Sequence, residues 1–338
     1  MTKFPHRRQF LHLTTGAAVL PAVSRFAQAQ QTSEVAPSRK GARLITLGTR
    51  SGPTPTVGRA QASNLLTVNG TQYVIDAGDG VTRRLTRLGT NFRNIGNIFI
   101  THPHSDHTSG LGALMTIIYD ARRTDLVNIY GPPGTAASVQ GLLQFLTVSS
   151  EIRISDGNLA VPASKVFSGH DTGVGTVFHD ANIKVTAVEN THFHFPPGSP
   201  GYGKYKSYSY RFDTADRSIV FTGDTGPSDA VAELAKGADL LVSEVTVSPD
   251  EYRERQISLG RWQLMTPEQQ AAFMRHQREE HLFPDELGKL AARAGVKTVV
   301  LTHITATGNP NDDYLRLAQE VKKHFSGQVL IAKDLMEF

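Results

Sequence analysis

The heptapeptide THPHSDH, residues 101–107, closes an apolar, β-branched run, 97–101, that reads as a buried strand. Positions two apart at a strand end project to the same side, so His102 and His104 can share one cation. Asp106 and His107 are adjacent and must diverge, which lets them serve a second cation beside the first. Imidazole and carboxylate suit Zn²⁺, which takes about four donors. The heptapeptide alone supplies too few, so the chain must bring further donors from other strand ends.

Three positions answer that demand. His192 follows the alternating strand 183–188, Asp224 follows strand 218–221, and His303 follows strand 297–301. Ligands beyond the carboxyl ends of strands are where α/β proteins build sites. The expected arrangement puts His102, His104 and His192 around one metal and Asp106, His107 and His303 around the other. Asp224 and a hydroxide bridge them. The chain has no cysteine, so no thiolate serves as ligand or nucleophile. His194 is surplus to a full ligand set, and His170 and His179 are expected to face solvent.

Around these positions strands and helices alternate. A strand at 43–47 leads into a Gly/Pro loop, 48–58. Strands 65–68 and 72–75 flank Asn69-Gly70, a strong hairpin signal. A helix, 81–88, is closed by Gly89. Thr108 or Ser109 is expected to cap a helix running to Arg122. Strand 126–130 and helix 136–146 follow, then strand and loop over 150–180. Strands 208–212 and 218–221 form a hairpin, Ser228 starts a helix that Gly237 ends, and 239–242 is a buried strand. Thr266-Pro267-Glu268-Gln269 starts a helix. Helix 284–294, strand 297–301, helix 314–324 and strand 329–332 complete one α/β domain, 43–338, with two β-rich halves and outer helices.

The segments LGTRSGPTP, YVIDAGDG, IFITHPHSDHTSGL, IYGPPGT, VFTGDTG, SEVTVS and EEHLFPDELGKLAARAGVKTVVLTH together resemble the metallo-β-lactamase superfamily, within it the ribonuclease Z and arylsulfatase-like branch. The resemblance implies an αββα sandwich, two mixed β-sheets flanked by helices. It implies a dinuclear zinc centre in an edge cleft, with Mn²⁺ or Fe an option at one position. It implies that His281 is a general acid near the site; Glu244 either orients a ligand histidine or is a buried paired acid. Asp106 would also orient the hydroxide or take its proton. The loop 193–210 should border the cleft, with Tyr202, Lys204, Tyr205, Lys206 and Tyr208 placed to contact an anionic or aromatic substrate.

Residues 1–29 carry Arg7-Arg8, a short apolar stretch and Ala27-Gln28-Ala29, and resemble a twin-arginine export signal. The mature chain would then begin near Gln30 in a bacterial periplasm, with 30–42 as a linker. Those 29 residues hold four of the 35 basic residues and no acid, so the remainder balances at 31 against 31. A neutral surface argues against tight binding of a long nucleic acid, whose affinity comes largely from phosphate contacts. Beyond the N-terminus no apolar run is long enough to span a membrane.

Family members that cut tRNA carry a long arm between the third histidine ligand and the bridging aspartate. Here 224 − 192 = 32 residues separate them. The expected activity is hydrolysis of small phosphodiesters or aryl sulfate esters by an exported dinuclear-zinc enzyme. The alternatives are a lactone or β-lactam hydrolase, a ribonuclease Z-type tRNA 3′ endonuclease, and a noncatalytic metal-binding protein. A homodimer is expected only because relatives often dimerise.

Overall fold

The computed structural model describes residues 41–305 and 310–338. The expected export signal, and the expected linker up to residue 40, lie outside the described residues. The first sheet is built from β1 (Ala42–Gly48), β2 (Ser63–Val68), β3 (Thr71–Ala77), β4 (Ile95–Phe99), β5 (Val127–Gly131) and β6 (Phe167–Asp171). The second takes β7 (Gly175–His179), β8 (Ile183–Glu189), β9 (Tyr208–Thr214), β10 (Ser218–Phe221), β11 (Leu240–Val245), β12 (Thr298–Ile304) and β13 (Gln328–Ile331). A last strand, β14 (Met336–Glu337), returns to pair with β1.

Both sheets are mixed. In the first, order 14-1-2-3-4-5-6, the strands from β3 to β6 run parallel and the rest antiparallel. In the second, order 13-12-11-10-9-8-7, the strands from β10 to β13 are parallel and the β7–β10 side is antiparallel. Asn69 and Gly70 join β2 to β3 with φ of 51° and 85°, the left-handed pair a two-residue hairpin turn needs.

The layer between the sheets is apolar and aromatic. Phe99 of the first sheet meets Phe212 of the second edge-to-face at 5.2 Å, with Tyr210 at 6.1 Å. Leu44, Leu66 and Ile75 fill the same layer against Val185, Val242 and Val300. Burying each such side chain stabilises the fold by roughly 1.5–3 kcal/mol.

Helices α1 (Val81–Arg87), α3 (Leu111–Asp120), α4 (Thr135–Ser155), α5 (Asp229–Leu234), α8 (Pro284–Ala294) and α9 (Pro310–Lys322) cover the outer faces, while α2 (Ser105–Thr108) follows β4 and α6 (Pro249–Ser258) and α7 (Pro267–Glu279) follow β11. Leu85, Leu114, Ile118, Val139 and Leu146 seal the first sheet, and Val231, Leu287, Leu290, Leu317 and Val321 the second. The result is the expected αββα sandwich.

Four local expectations change. The helix after the heptapeptide is capped by Gly110, not Thr108 or Ser109, because 105–108 form a helical turn of their own. α4 runs on to Ser155, through residues expected to be strand and loop. Its last turns contain Thr147, Val148 and Ser149, poor helix formers, but Leu146 and Ser150 keep the buried spacing and Tyr119 Oη bonds Ser150 Oγ at 2.7 Å. α6 was not expected, although Ser248 caps it onto Glu251 N and Pro249 opens it. β1 begins at Ala42, inside the expected linker.

Candidate metal centre

The two parallel regions of the sandwich end at the same edge, and the polar residues gather there. β4 feeds the heptapeptide, whose four donors come from the first sheet's side. His192 leaves β8, Asp224 follows β10 and His303 stands in β12, all on the second sheet. Val245 pairs with Ile304 and Glu244 with Thr302, so His303 is an extra residue bulged out of the ladder, at φ 45°. Such a bulge re-aims a side chain.

Two groups of donors result. His102 Nε2 and His192 Nε2 lie 3.1 and 3.0 Å from His104 Nδ1. His303 Nε2 lies 3.0 Å from Asp106 Oδ2, and His107 Nε2 lies 3.7 Å from the same oxygen. Asp224 stands between the groups. Its Oδ1 is 3.3 Å from His107 Nε2 and 3.4 Å from His303 Nδ1, while its Oδ2 is 4.0 and 3.9 Å from His102 Nε2 and His192 Nε2.

This donor set fits metal ions. Each group gathers ligand atoms at a spacing that a single cation can satisfy. His107 Nε2, His303 Nδ1 and Asp224 Oδ1 are buried, and among the described residues they have no hydrogen-bond partner. Buried polar atoms are nearly always paired, so three orphans in one cluster call for another group. Burial and neighbouring imidazoles hold His102 and His192 well below the usual histidine range, despite the opposing Asp224 charge, which favours the neutral form that ligates. Burial alone would also lower His107, but Asp224, Asp76 and Asp106 raise it well above. Burial opposes ionisation of Asp224, yet His303 and His107 keep its carboxyl well below the carboxylate range.

Outer hydrogen bonds orient the rings. His107 Nδ1 lies 2.8 Å from Asp76 Oδ2, and Asp76 also accepts from Thr101 N at 2.8 Å. His192 Nδ1 donates to the Glu280 carbonyl at 2.9 Å. Of its two expected roles, Glu244 takes that of a buried paired acid. Its Oε2 is 2.7 Å from Nδ1 of His281 and 3.9 Å from His303, and its other oxygen accepts from Thr225 N. The ligand-orienting work falls to Asp76 and the Glu280 carbonyl. Burial would lower His281, but Glu244 raises it to about 9.

Three features escaped the sequence reading. Asp76 is the penultimate residue of β3, as Asp224 follows β10, so the strand-end signal was present. His276 Nε2 lies 3.2 Å from His281 Nε2, and its Nδ1 is 2.7 Å from Glu280 Oε2. Gly52 and Gly78 make room for Asp106. A Cβ on Gly52 would stand 2.2 Å from the Asp106 carboxyl carbon, and one on Gly78 2.1 Å from its carbonyl oxygen.

The donors open into a cleft of about 290 Å³. Ser51 to Pro53 and Thr305 form one wall, and Tyr252, Phe273, His276 and Gln277 the other. None of Tyr202, Lys204, Tyr205, Lys206 or Tyr208 lines it. Tyr202, Tyr205 and Lys206 border a separate hollow beside Phe193 and Phe195. Lys206 pairs with Glu189 at 2.6 Å, and Lys204 Nζ lies over the Tyr205 ring at 4.9 Å. Tyr208 is not in the loop: it opens β9, is buried, and donates its hydroxyl to the Thr172 carbonyl. His194 stands outside the cluster beside Glu279, and His179 is exposed. His170 is half-buried rather than exposed: it stacks on Tyr130 and bonds Asn128 at 2.9 Å.

Residues 71–304 match the family model of the beta-lactamase superfamily domain. A ribonuclease Z of Haloarcula marismortui is 28% identical over 323 residues, covering 87% of this chain and 96% of the relative. The structure is similar to the metallo-beta-lactamase fold protein YhfI from Bacillus subtilis, with TM-score 0.62 and 19% identity over 88% of this chain and 98% of that one. It is also similar to a diphosphatase from the PhnP family, with TM-score 0.53 and 17% identity over 88% and 97%.

Proposed function

The chain belongs to the metallo-β-lactamase superfamily, and from that premise we propose that it is a dinuclear-zinc hydrolase cleaving small phosphodiesters. The observation that carries this reading is Asp224, which turns one carboxylate oxygen toward each donor group. His102, His104 and His192 would hold one zinc ion. Asp106, His107 and His303 would hold the other, where Mn²⁺ or Fe is an alternative. Bound there, the pair would supply an acidified water and neutralise charge on the ester oxygen under attack.

The chain's own residues do the rest. Asp106, kept ionised by His107 and His303 against burial, aims the attacking water or takes its proton. His281 carries a proton up to about pH 9 and gives it to the leaving oxygen, with Glu244 fixing its ring. The ribonuclease Z and diphosphatase names of similar proteins favour a phosphate ester over a sulfate, lactone or β-lactam. The cleft's small volume favours a small substrate.

The ribonuclease Z relative, matched over 96% of its length, supports a second reading, cleavage of RNA. One panel separates the two. Zinc-loaded protein is assayed on a bis-aryl phosphate, an aryl sulfate, a lactone, a β-lactam and a precursor tRNA. Turnover of the diester alone supports the first reading, 3′ cleavage of the tRNA the second, and no turnover of either phosphate sinks both. We also propose export to the periplasm, a reading supported by Arg7-Arg8 and Ala27-Gln28-Ala29. Cell fractionation tests that location.

A further inference from the structure

α6 and α7 form a helical insertion between β11 and α8, and its inner face is one wall of the cleft. Tyr252 and Phe273 stack there with centroids 5.5 Å apart and planes 7° apart, and Trp262 packs edge-on against Phe273 at 6.1 Å. Phe273, His276 and Gln277 stand at i, i+3 and i+4 on α7 and share one face. Gln277 is only 6% exposed and lines the cleft. Among the described residues, no hydrogen bond to its side-chain amide is found. Its amide therefore reaches the cleft's solvent with no protein group competing for it, and is free to bond a group that enters the cleft.

We propose that this wall is a subsite for a planar aromatic arm of the ester substrate, its ring laid against Phe273 and Tyr252 and a polar substituent bonded to the Gln277 amide. The proposal rests on the phosphodiester reading and names the substrate class within it. Aromatic rings favour offset stacking beyond the gain from burial, and the wall faces the same space as His192, Asp224 and His281.

Calorimetric titration of the zinc-loaded protein with methylphosphonate, phenylphosphonate and 4-nitrophenylphosphonate tests this without turnover. The parent should bind the phenyl compound about tenfold tighter than the methyl one, the effect of burying and stacking one ring. Phe273→Ala should remove that preference, and Phe273→Leu, which keeps an apolar side chain in the insertion, should weaken it. Gln277→Leu should keep the phenyl preference and lose the further gain from the nitro group. Equal binding of methyl and phenyl compounds by the parent, including no binding of either, overturns the subsite, as does a preference that survives Phe273→Ala. Turnover of methyl 4-nitrophenyl phosphate is read separately. Ring preference without turnover leaves the subsite standing and removes the hydrolase reading; turnover without ring preference removes the subsite alone.

Discussion

Asp76 Oδ2 stands 2.8 Å from His107 Nδ1, and the same carboxylate holds Thr101, the residue that opens the heptapeptide of candidate metal ligands. One side chain at the end of β3 therefore fixes both a ligand ring and the backbone that delivers the other ligands. Asp76→Ala should weaken zinc binding in the second donor group by roughly 10–100-fold, the usual loss for a residue that orients a metal ligand. Metal titration monitored by elemental analysis checks it; unchanged affinity for two ions would remove Asp76 from the design.

Asp224 faces both donor groups, so its loss should affect both. Asp224→Ala is expected to release zinc from each group and abolish turnover. A variant that keeps two tightly bound zinc ions and full activity would sink the dinuclear assignment. Chelation of the parent should likewise end activity and lower the melting temperature, because a ligand that binds only the folded chain stabilises it.

The φ of Gly52 lies outside the left-handed region, so its role is space rather than access to that conformation. Gly52→Ala would drive a methyl group to within 2.2 Å of the Asp106 carboxyl carbon. Either that carboxylate or the 51–53 wall must move. The expected result is a loss of second-site metal and activity, with a smaller change in thermal stability. Elemental analysis beside a melting curve distinguishes this from general unfolding.

His281 is raised to about 9, above its ordinary value near 6.5, by Glu244. A general acid works while protonated, so kcat should hold below pH 9 and fall as pH rises through it. His281→Ala should remove that alkaline limb and lower the rate by roughly 10²–10⁴-fold. The sign for stability is the same. On the histidine side the His281–Glu244 pair contributes fully below about pH 6.5 and is lost as pH rises through about 9, while in acid it is lost as Glu244, whose carboxyl burial pushes up, takes a proton. Glu244→Gln should shift the alkaline limb to lower pH; an unmoved limb would show that His281 is not the titrating group.

The strand-end histidines and aspartates were readable because a buried strand that breaks into a ligand leaves a clear pattern, apolar run then polar donor. Asp76 shares that pattern, but its carboxylate faces a ligand rather than the cluster's centre, and counting donors for two ions left no place for it. Tyr208 is expected both to open strand 208–212 and to contact substrate, the second because a run of Lys, Tyr and Gly precedes it; only the first holds. The alternation Tyr208, Tyr210, Phe212 marks one buried face of β9, and period two outweighed composition. The α6–α7 wall was half legible: Thr266 and Gln269 form the expected capping box, while α6 is so polar that no apolar period betrays it. Its inward aromatics, Tyr252 and Phe273, lie 21 residues apart in sequence (273 − 252) and meet only through tertiary packing.

The donor groups draw on both sheets, with four ligands on the β4 side and three on the β8, β10 and β12 side. The first and last of them, His102 and His303, stand 201 positions apart (303 − 102). A cation held among them would act as a clasp across the sandwich, tying shut an edge that the apolar layer alone closes elsewhere. Closing a loop of that length removes much of the freedom of the unfolded chain. Metal loading and folding are then one linked event: the stripped protein should first open at this edge, exposing the Ser51–Pro53 wall and α2 to protease while the aromatic layer around Phe99 still holds.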